Sequence, residues 1–283
     1  MENITLFLVQ DKTQYFYPLE EKCIQPLKMK GIRPFIRKIC NQLGIAIPKL
    51  FLNKEILKAN KIVITDSAFC IGLYKCLKKI FDNRIFLYYM NVINSDTASY
   101  MTFFDKENVY SFDMEDAKKY GIRFKHTPYS EKVKLNESNK LYDGIFLGRI
   151  KNRDDEIEKI YHLFQKRNLN VKFLVLGSKN KNIELKTYMA YRDYLEYVAN
   201  SKCIIEINEP NQAGCSLRMM ESLFLKKKLI TTNKDVKKDS FYNDKNVFIL
   251  GVDNIERINE FINGEYCMVD VSILKFVNWI ENF

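Results

Sequence analysis

Apolar runs of strand length alternate along this chain with stretches whose apolar positions recur at helical spacing. That is the pattern of an α/β protein built on mostly parallel sheets. In the first half it predicts strands over Ile4–Val9, Ile62–Thr65, Ile85–Tyr89 and Val109–Phe112, with helices near Ile32–Leu43, Ala68–Phe81 and Met114–Tyr120. Pro128 to Lys140 is polar, turn-rich and aperiodic, the best linker in the chain. Beyond it the alternation restarts, with strands over Tyr142–Leu147, Val171–Leu176, Cys203–Ile207, Leu229–Thr232 and Val247–Leu250. The helices between and after them are placed at Asp154–Arg167, Tyr191–Asn200, Ser216–Lys226 and Ile255–Ile262. Two Rossmann-like halves are implied, residues 1–130 and 141–265. Residues 266–283 then carry Ile273, Leu274, Phe276, Val277, Trp279 and Ile280 on one helical stripe, suited to an ordinary closing helix or to one docking back on the first domain.

Composition narrows the class. With 283 residues, 47% hydrophobic and 28% charged, the chain has the make-up of a soluble globular protein. Seven cysteines form no C-x-x-C pair, and His126 and His162 are the only histidines, so no zinc constellation assembles and a reducing cytoplasm is expected. No basic leader opens the sequence and no apolar run is long enough to span a bilayer, which predicts a protein neither secreted nor membrane-spanning.

The net charge of +10 is uneven: Lys22 to Lys61 holds ten Lys and Arg residues against Glu55 alone. Leu27, Ile32, Phe35, Ile36, Ile39 and Leu43 thread this segment at roughly helical spacing. Residues 22–61 therefore read either as a basic amphipathic surface, meeting the inner face of an anionic membrane or a phosphate-bearing acceptor, or as the solvated face of a core helix. Nucleic acid is not expected, because no helix-turn-helix, zinc or RNP-type signature accompanies the charge.

Ligands of open α/β sheets bind outside the carboxyl ends of strands, which directs attention to three loops of the second half. Gly148-Arg149-Ile150-Lys151-Asn152-Arg153 sets three cations after a glycine, fit to clamp a diphosphate or simply to lie in solvent ahead of Asp154 as a helix cap. Gly177-Ser178 leads towards Tyr191, where backbone and an aromatic face suit a base or ribose, although a packing tyrosine fits as well. At the third loop Glu206 lies within a strand that otherwise reads as fully buried, where a lone carboxylate is costly unless it is paired or near the strand mouth, which makes it a candidate working group. Glu209, Gln212 and Gly214 follow, then Ser216 as a helix cap, the N–H groups of Ser216 and Leu217, and Arg218 and Glu221 at i, i+3 spacing. In the first half Asp66 follows a strand and either caps the next helix or faces the cleft as a general base.

The chain has no G-x-G-x-x-G or G-x-x-x-x-G-K-[ST] loop, no G-x-S-x-G elbow and no Asp-x-Asp pair, so no metal is expected and side chains with a helix terminus are left to hold an anion.

Four segments resemble the small bacterial GT-B glycosyltransferases of capsule and lipopolysaccharide biosynthesis: Y-S-F-D-M-E-D-A-K-K-Y-G-I-R-F (110–124), Y-D-G-I-F-L-G-R-I-K-N-R (142–153), C-I-I-E-I-N-E-P-N-Q-A-G-C-S-L-R-M-M-E-S-L (203–223) and K-K-L-I-T-T-N-K-D-V-K (227–237). The resemblance implies two Rossmann-like domains facing each other across a cleft, with a nucleotide-sugar donor in the second and a saccharide or lipid-linked acceptor in the first. Arg149, with Lys151 or Arg153, would neutralise the donor diphosphate, Ser216, Leu217 and Arg218 would hold it, and Glu221 would bind ribose. Glu206, Glu209 and Gln212 would address the donor sugar. One departure stands out, since Glu209 and Glu221 are eleven residues apart where many retaining relatives separate two glutamates by seven. On this reading Arg218→Ala should lower turnover and leave the fold intact. A non-catalytic nucleotide-sugar-binding homologue and another nucleotide-binding α/β enzyme such as an epimerase are the alternatives.

Overall fold

The computed structural model describes residues 4–10, 19–27, 33–136, 139–209 and 212–283. The chain divides into two compact units, Met1–Ser130 with Ile273–Phe283, and Glu131–Ser272. Among the described residues no helix is long and apolar enough to cross a membrane.

The first unit is built on β1 (Thr5–Leu8), β2 (Cys23–Ile24), β3 (Lys61–Thr65), β4 (Ile85–Tyr89), β5 (Val109–Ser111) and β6 (Arg123–Phe124). All pair in parallel in the order β2-β1-β3-β4-β5-β6. Between them lie α1 (Arg33–Gln42), α2 (Ile71–Phe81), α3 (Ser95–Ala98) and α4 (Met114–Tyr120). Side chains alternate across a strand, so each strand feeds both faces of the sheet. Leu6, Leu8, Ile62, Ile64 and Leu87 pack with Leu73, Leu77 and Phe81 of α2. Phe7, Val9, Val63, Tyr88 and Tyr110 pack on the other side with Phe276, Trp279, Ile280 and Phe283. The C-terminal helix, Phe276–Glu281, thus closes the first sheet. Its Trp279 stands edge-on to Tyr88 at 4.9 Å between centroids and donates Nε1–H to the His126 carbonyl at 2.7 Å.

Three expectations change here. Pro128–Lys140 is not solvated throughout: Tyr129 and Ser130 are fully buried. Tyr129 donates its N–H to Leu274 O and accepts from Phe276 N, both at 2.9 Å, a pairing with a distant segment that no local pattern reveals. The helix expected from Ala68 begins at Ile71, because Ala68 and Phe69 donate instead to the Thr65 carbonyl in a turn. Asp66 does not cap it, since the residue before that helix is Cys70, without a side-chain cap. Within the basic segment Lys28, Lys30 and Ile32 lie outside the described residues. Lys22 pairs with Glu281 at 3.1 Å and Lys58 with Glu55 at 3.0 Å.

The second unit contains β7 (Tyr142–Arg149), α5 (Asp154–Lys166), β8 (Val171–Leu176), β9 (Glu184–Leu185), α6 (Tyr191–Ala199), β10 (Ser201–Glu206), α7 (Leu217–Phe224), β11 (Lys228–Thr231), β12 (Val247–Ile249) and α8 (Ile258–Asn263). Its strands are also parallel, in the order β12-β11-β10-β7-β8-β9. Phe146, Phe173, Ile205, Ile230 and Phe248 meet Ile157, Ile160 and Phe164 of α5 and Ile258 and Ile262 of α8 on one face. Helices α6 and α7 lie against β10 on the other. The pairs β2, β6 and β9 escape sequence reading because two residues carry no periodicity.

Candidate functional site

Counted from its own first strand, the second sheet runs 3-2-1-4-5-6, the dinucleotide-fold order, and its winding reverses between β7 and β10. A crevice opens at such a reversal outside the carboxyl ends of the strands. The loops leaving β7, β8, β10 and β11 therefore frame the site, and the second-half candidates other than Tyr191 lie in the β7, β8 and β10 loops, at the strand ends that feed them or in α7, which follows the β10 loop.

Glu206 closes β10 in register with Thr231 of β11. It is buried, and its two carboxylate oxygens accept from the hydroxyls of Ser216 and Thr231. Burial pushes its carboxyl above the usual range, against the lowering effect of both hydroxyls and of Arg218. The same Ser216 oxygen accepts from Arg218 N at 3.0 Å and caps α7. A buried carboxylate thus aims the cap, and the cap aims the start of the helix. Leu217 opens that helix half-buried.

Arg218 and Glu221 form an ion pair of 2.5 Å in which Glu221 is fully buried and Arg218 is 18% exposed. Tyr194 of α6 completes the arrangement by donating its hydroxyl to Glu221 Oε2 at 3.0 Å, while its ring lies 4.2 Å under the guanidinium. Burial disfavours the charge on Arg218, but Glu221 and Tyr194 outweigh it and hold the group above its ordinary value. Glu221 Oε1 is buried without a hydrogen-bond partner, as are Asn208 Oδ1 and Asp154 Oδ1. Buried acceptors are normally satisfied, so these atoms mark where donors are wanted. Arg218 and Tyr194 both donate to Glu221 Oε2, which leaves Oε1 as the oxygen without a partner.

The turn after β7 divides its cations by role. Arg153 donates to the Ile207 carbonyl from Nη1 and to the Arg149 carbonyl from Nε and Nη2, at 3.2 Å each, and lies 5.8 Å from the Phe146 centroid. It clasps the β7 and β10 loops together, and burial lowers its ordinary value. Gly148 makes room for it: a Cβ there would stand 2.7 Å from Phe146 Cζ and 3.1 Å from Arg153 Nη2. Arg149 is exposed, with no side-chain hydrogen bond or ion pair among the described residues. Lys151, in the left-handed region at φ 42°, pairs with Glu209 at 2.5 Å across the two loops. Asp154 is the first residue of α5, not its cap.

Gly177 turns the chain after β8 at φ +89°, in the left-handed region that favours glycine, and a Cβ there would stand 3.8 Å from Ile150 Cδ1. Tyr191 is buried beside Tyr194, centroids 6.0 Å apart, which is the packing alternative. Gln212 donates Nε2–H to Gly214 O at 3.3 Å and its carbonyl accepts from Asn208, so it braces its own loop, and Gly214 is buried. Pro210 and Asn211 lie outside the described residues. Tyr194 and Thr231 were not anticipated. Tyr194 stands three residues after Tyr191 on a helix, and Thr231 ends the neighbouring strand, a register that sequence does not print.

In the first sheet the order 2-1-3-4-5-6 reverses between β1 and β3. Asp66 stands immediately after β3, and it is buried. Its oxygens accept from Met90 N at 3.0 Å and Asn91 Nδ2 at 2.9 Å. Burial raises its carboxyl, with these hydrogen bonds opposing.

No protein-family model and no curated protein matches the chain. Among solved structures it is similar to TarM, at 15% identity over 87% of this chain and 51% of that one, with a TM-score of 0.44. The chain thus spans about half the length of that protein. It is also similar to a putative UDP-N-acetylglucosamine 2-epimerase from Listeria monocytogenes, at 8% identity over 99% of this chain and 94% of that one, with a TM-score of 0.47. Each of the two units of this chain is itself a parallel α/β sheet of Rossmann-like strand order.

Proposed function

We propose that the protein is a glycosyltransferase that moves a sugar from a nucleotide-sugar donor to a saccharide or lipid-linked oligosaccharide acceptor in surface-polysaccharide assembly. The observation that carries this reading is the Arg218 guanidinium, clamped between Glu221 and the Tyr194 ring beside the Ser216-capped start of α7, at the reversal point of the second sheet. An anion at that helix start meets unpaired backbone N–H groups and the positive end of the helix dipole. Arg218 adds a fixed charge and exposed Arg149 a mobile one. As the sugar–phosphate bond breaks, negative charge grows on the departing diphosphate, and donors already in place stabilise it without reorganising. In this reading the diphosphate is neutralised by side chains and a helix terminus, with no metal required.

Glu206 acts as a positioning residue for Ser216, and Glu209, held by Lys151, borders the sugar. Asp66, at the reversal point of the first sheet, is the general base for the acceptor hydroxyl, its raised carboxyl bringing it nearer the range a base needs at neutral pH. The buried, unpartnered oxygens of Asn208 and Glu221 supply acceptors for donor hydroxyls.

Calorimetry with UDP-, GDP-, CMP- and dTDP-linked sugars tests the assignment, followed by product analysis with a lipid-linked acceptor. Binding of one nucleotide class, weakened about tenfold in Arg149→Ala, with sugar transferred to the acceptor, is the expected result. Binding without donor consumption identifies a non-catalytic nucleotide-sugar-binding homologue. Binding of none of them overturns the reading.

A further inference from the structure

We propose that Asn91 is the positioning residue for Asp66: its carboxamide fixes the Asp66 carboxylate at the mouth of the first sheet and keeps it charged for proton abstraction from the acceptor hydroxyl. The inference rests on the reading of Asp66 as general base and gives a role to a residue that reading leaves unused. Asp66 immediately follows β3, and Asn91 stands two residues beyond β4. The two strands are parallel, with Thr65 opposite Tyr88, so both loops leave at the carboxyl end of the sheet, beside the reversal between β1 and β3. The Asp66 backbone is pinned there by its N–H to Tyr88 O at 3.1 Å. Its side chain joins the two loops: Met90 N donates to Oδ1 at 3.0 Å and Asn91 Nδ2 to Oδ2 at 2.9 Å. With a donor on each oxygen, the carboxylate cannot turn without breaking both bonds.

Two other buried aspartates of this unit serve the backbone. Asp113 caps α4 by accepting from Glu115 N and Asp116 N, and Asp116 accepts from Ile93 N at 2.7 Å. Asp66 caps no helix, and its second donor comes from the side chain of an exposed residue. A brace for the turn after β4 would be complete with Met90 N, whereas the Asn91 amide acts on the charge of the carboxylate. No Lys, Arg or His pairs with Asp66 among the described residues, so hydrogen bonds alone oppose its burial. Burial raises the carboxyl, and Asn91 is the strongest of the groups that lower it, ahead of the backbone N–H groups. The titratable neighbours that feel this charge are Tyr88 and Tyr89 of β4, both buried and both raised above the ordinary tyrosine range, chiefly by that burial. They stay protonated wherever Asp66 titrates. Asn91 therefore sets the pH above which this base is charged.

The test begins with aspartate-selective carboxyl NMR of the full chain, titrated without any ligand, the Asp66 resonance being the one lost in Asp66→Asn. Asn91→Ala should move the Asp66 midpoint to higher pH. Asn91→Asp, which keeps the size but sets a like charge beside it, should move it further. Asn91 is exposed, so the melting temperature of the alanine variant should match wild type. Below the wild-type midpoint the ionised fraction then falls about tenfold, as for a lost hydrogen bond to a charged group, and well above both midpoints it is unchanged. Sugar transfer by Asn91→Ala should accordingly be about tenfold slower on the acid limb and return to the wild-type rate at alkaline pH, which a merely structural loss would not do. An unchanged midpoint in both variants, or a transfer defect equal at every pH, overturns the proposal and leaves Asp66 as the base. Wild-type transfer by Asp66→Asn overturns the general-base reading, and this role with it, even where the midpoint shifts. Because the titration needs no donor, it decides the pairing whichever nucleotide binds.

Discussion

Arg218→Ala is a stability perturbation before it is a catalytic one, contrary to the expectation that it spares the fold. Glu221 is fully buried, and after the change its carboxylate keeps a single hydrogen bond, from Tyr194, with Oε1 already unpartnered. Removing one member of a buried ion pair costs about 3–5 kcal/mol, mostly through the charge left behind. Arg218 itself is 18% exposed, so water reaches the gap and the low end, about 3 kcal/mol, is expected. For a unit of this size that lowers the melting temperature by roughly 6–12 °C. Combining Arg218→Met with Glu221→Gln removes both charges and keeps most of the volume, so it should lie within about 1.5 kcal/mol of wild type. Urea unfolding of wild type, Arg218→Met, Glu221→Gln and the double variant gives the coupling, expected to exceed about 2 kcal/mol. Arg218→Ala within about 1 kcal/mol of wild type, or strict additivity in the cycle, would refute a buried pair that depends on both partners. Turnover is then better probed with Arg218→Lys, which keeps the charge and loses the planar fork over Tyr194.

Ser216→Ala removes the helix cap and one partner of Glu206, and should cost about 1–3 kcal/mol by denaturation together with a loss of nucleotide affinity. Arg149 and Arg153, four residues apart, should separate cleanly. Arg149→Ala leaves the melting temperature unchanged and weakens donor binding about tenfold, whereas Arg153→Ala lowers the melting temperature because two carbonyl groups lose their shared donor. Lys227 is buried and donates to the carbonyls of Ala199 and Ser201, and burial lowers it to about 8. Between pH 8 and its unfolded value the native state has released this proton and the unfolded chain has not, so stability contributed by this group rises with pH across that window and falls as pH drops through 8. A lysine-selective NMR titration with a midpoint near that of free lysine would contradict it.

Much of the framework was legible along the chain. Continuous apolar runs such as Ile62–Thr65 and Cys203–Ile207 can only be buried on both faces, which dictates parallel strands under helices on each side. Ser216 as a cap was likewise visible, because capping is local. The division of labour among the charged residues was not. Arg149 and Arg153 look alike in sequence, yet one is exposed and the other is consumed by Ile207 O, since β7 and β10 become neighbours only through the strand order.

The same limit explains Tyr194, Thr231 and Tyr129. Each acquires its role from a partner far along the chain, Glu221, Glu206 and Leu274 respectively, and periodicity carries no information about which element lies beside which. Local pattern decides where backbone hydrogen bonds and apolar faces must form, because those demands are met within a few residues. Whether a buried charge is a tool or a brace depends on what surrounds it once the sheets are assembled, because solvation and pairing are properties of position in space.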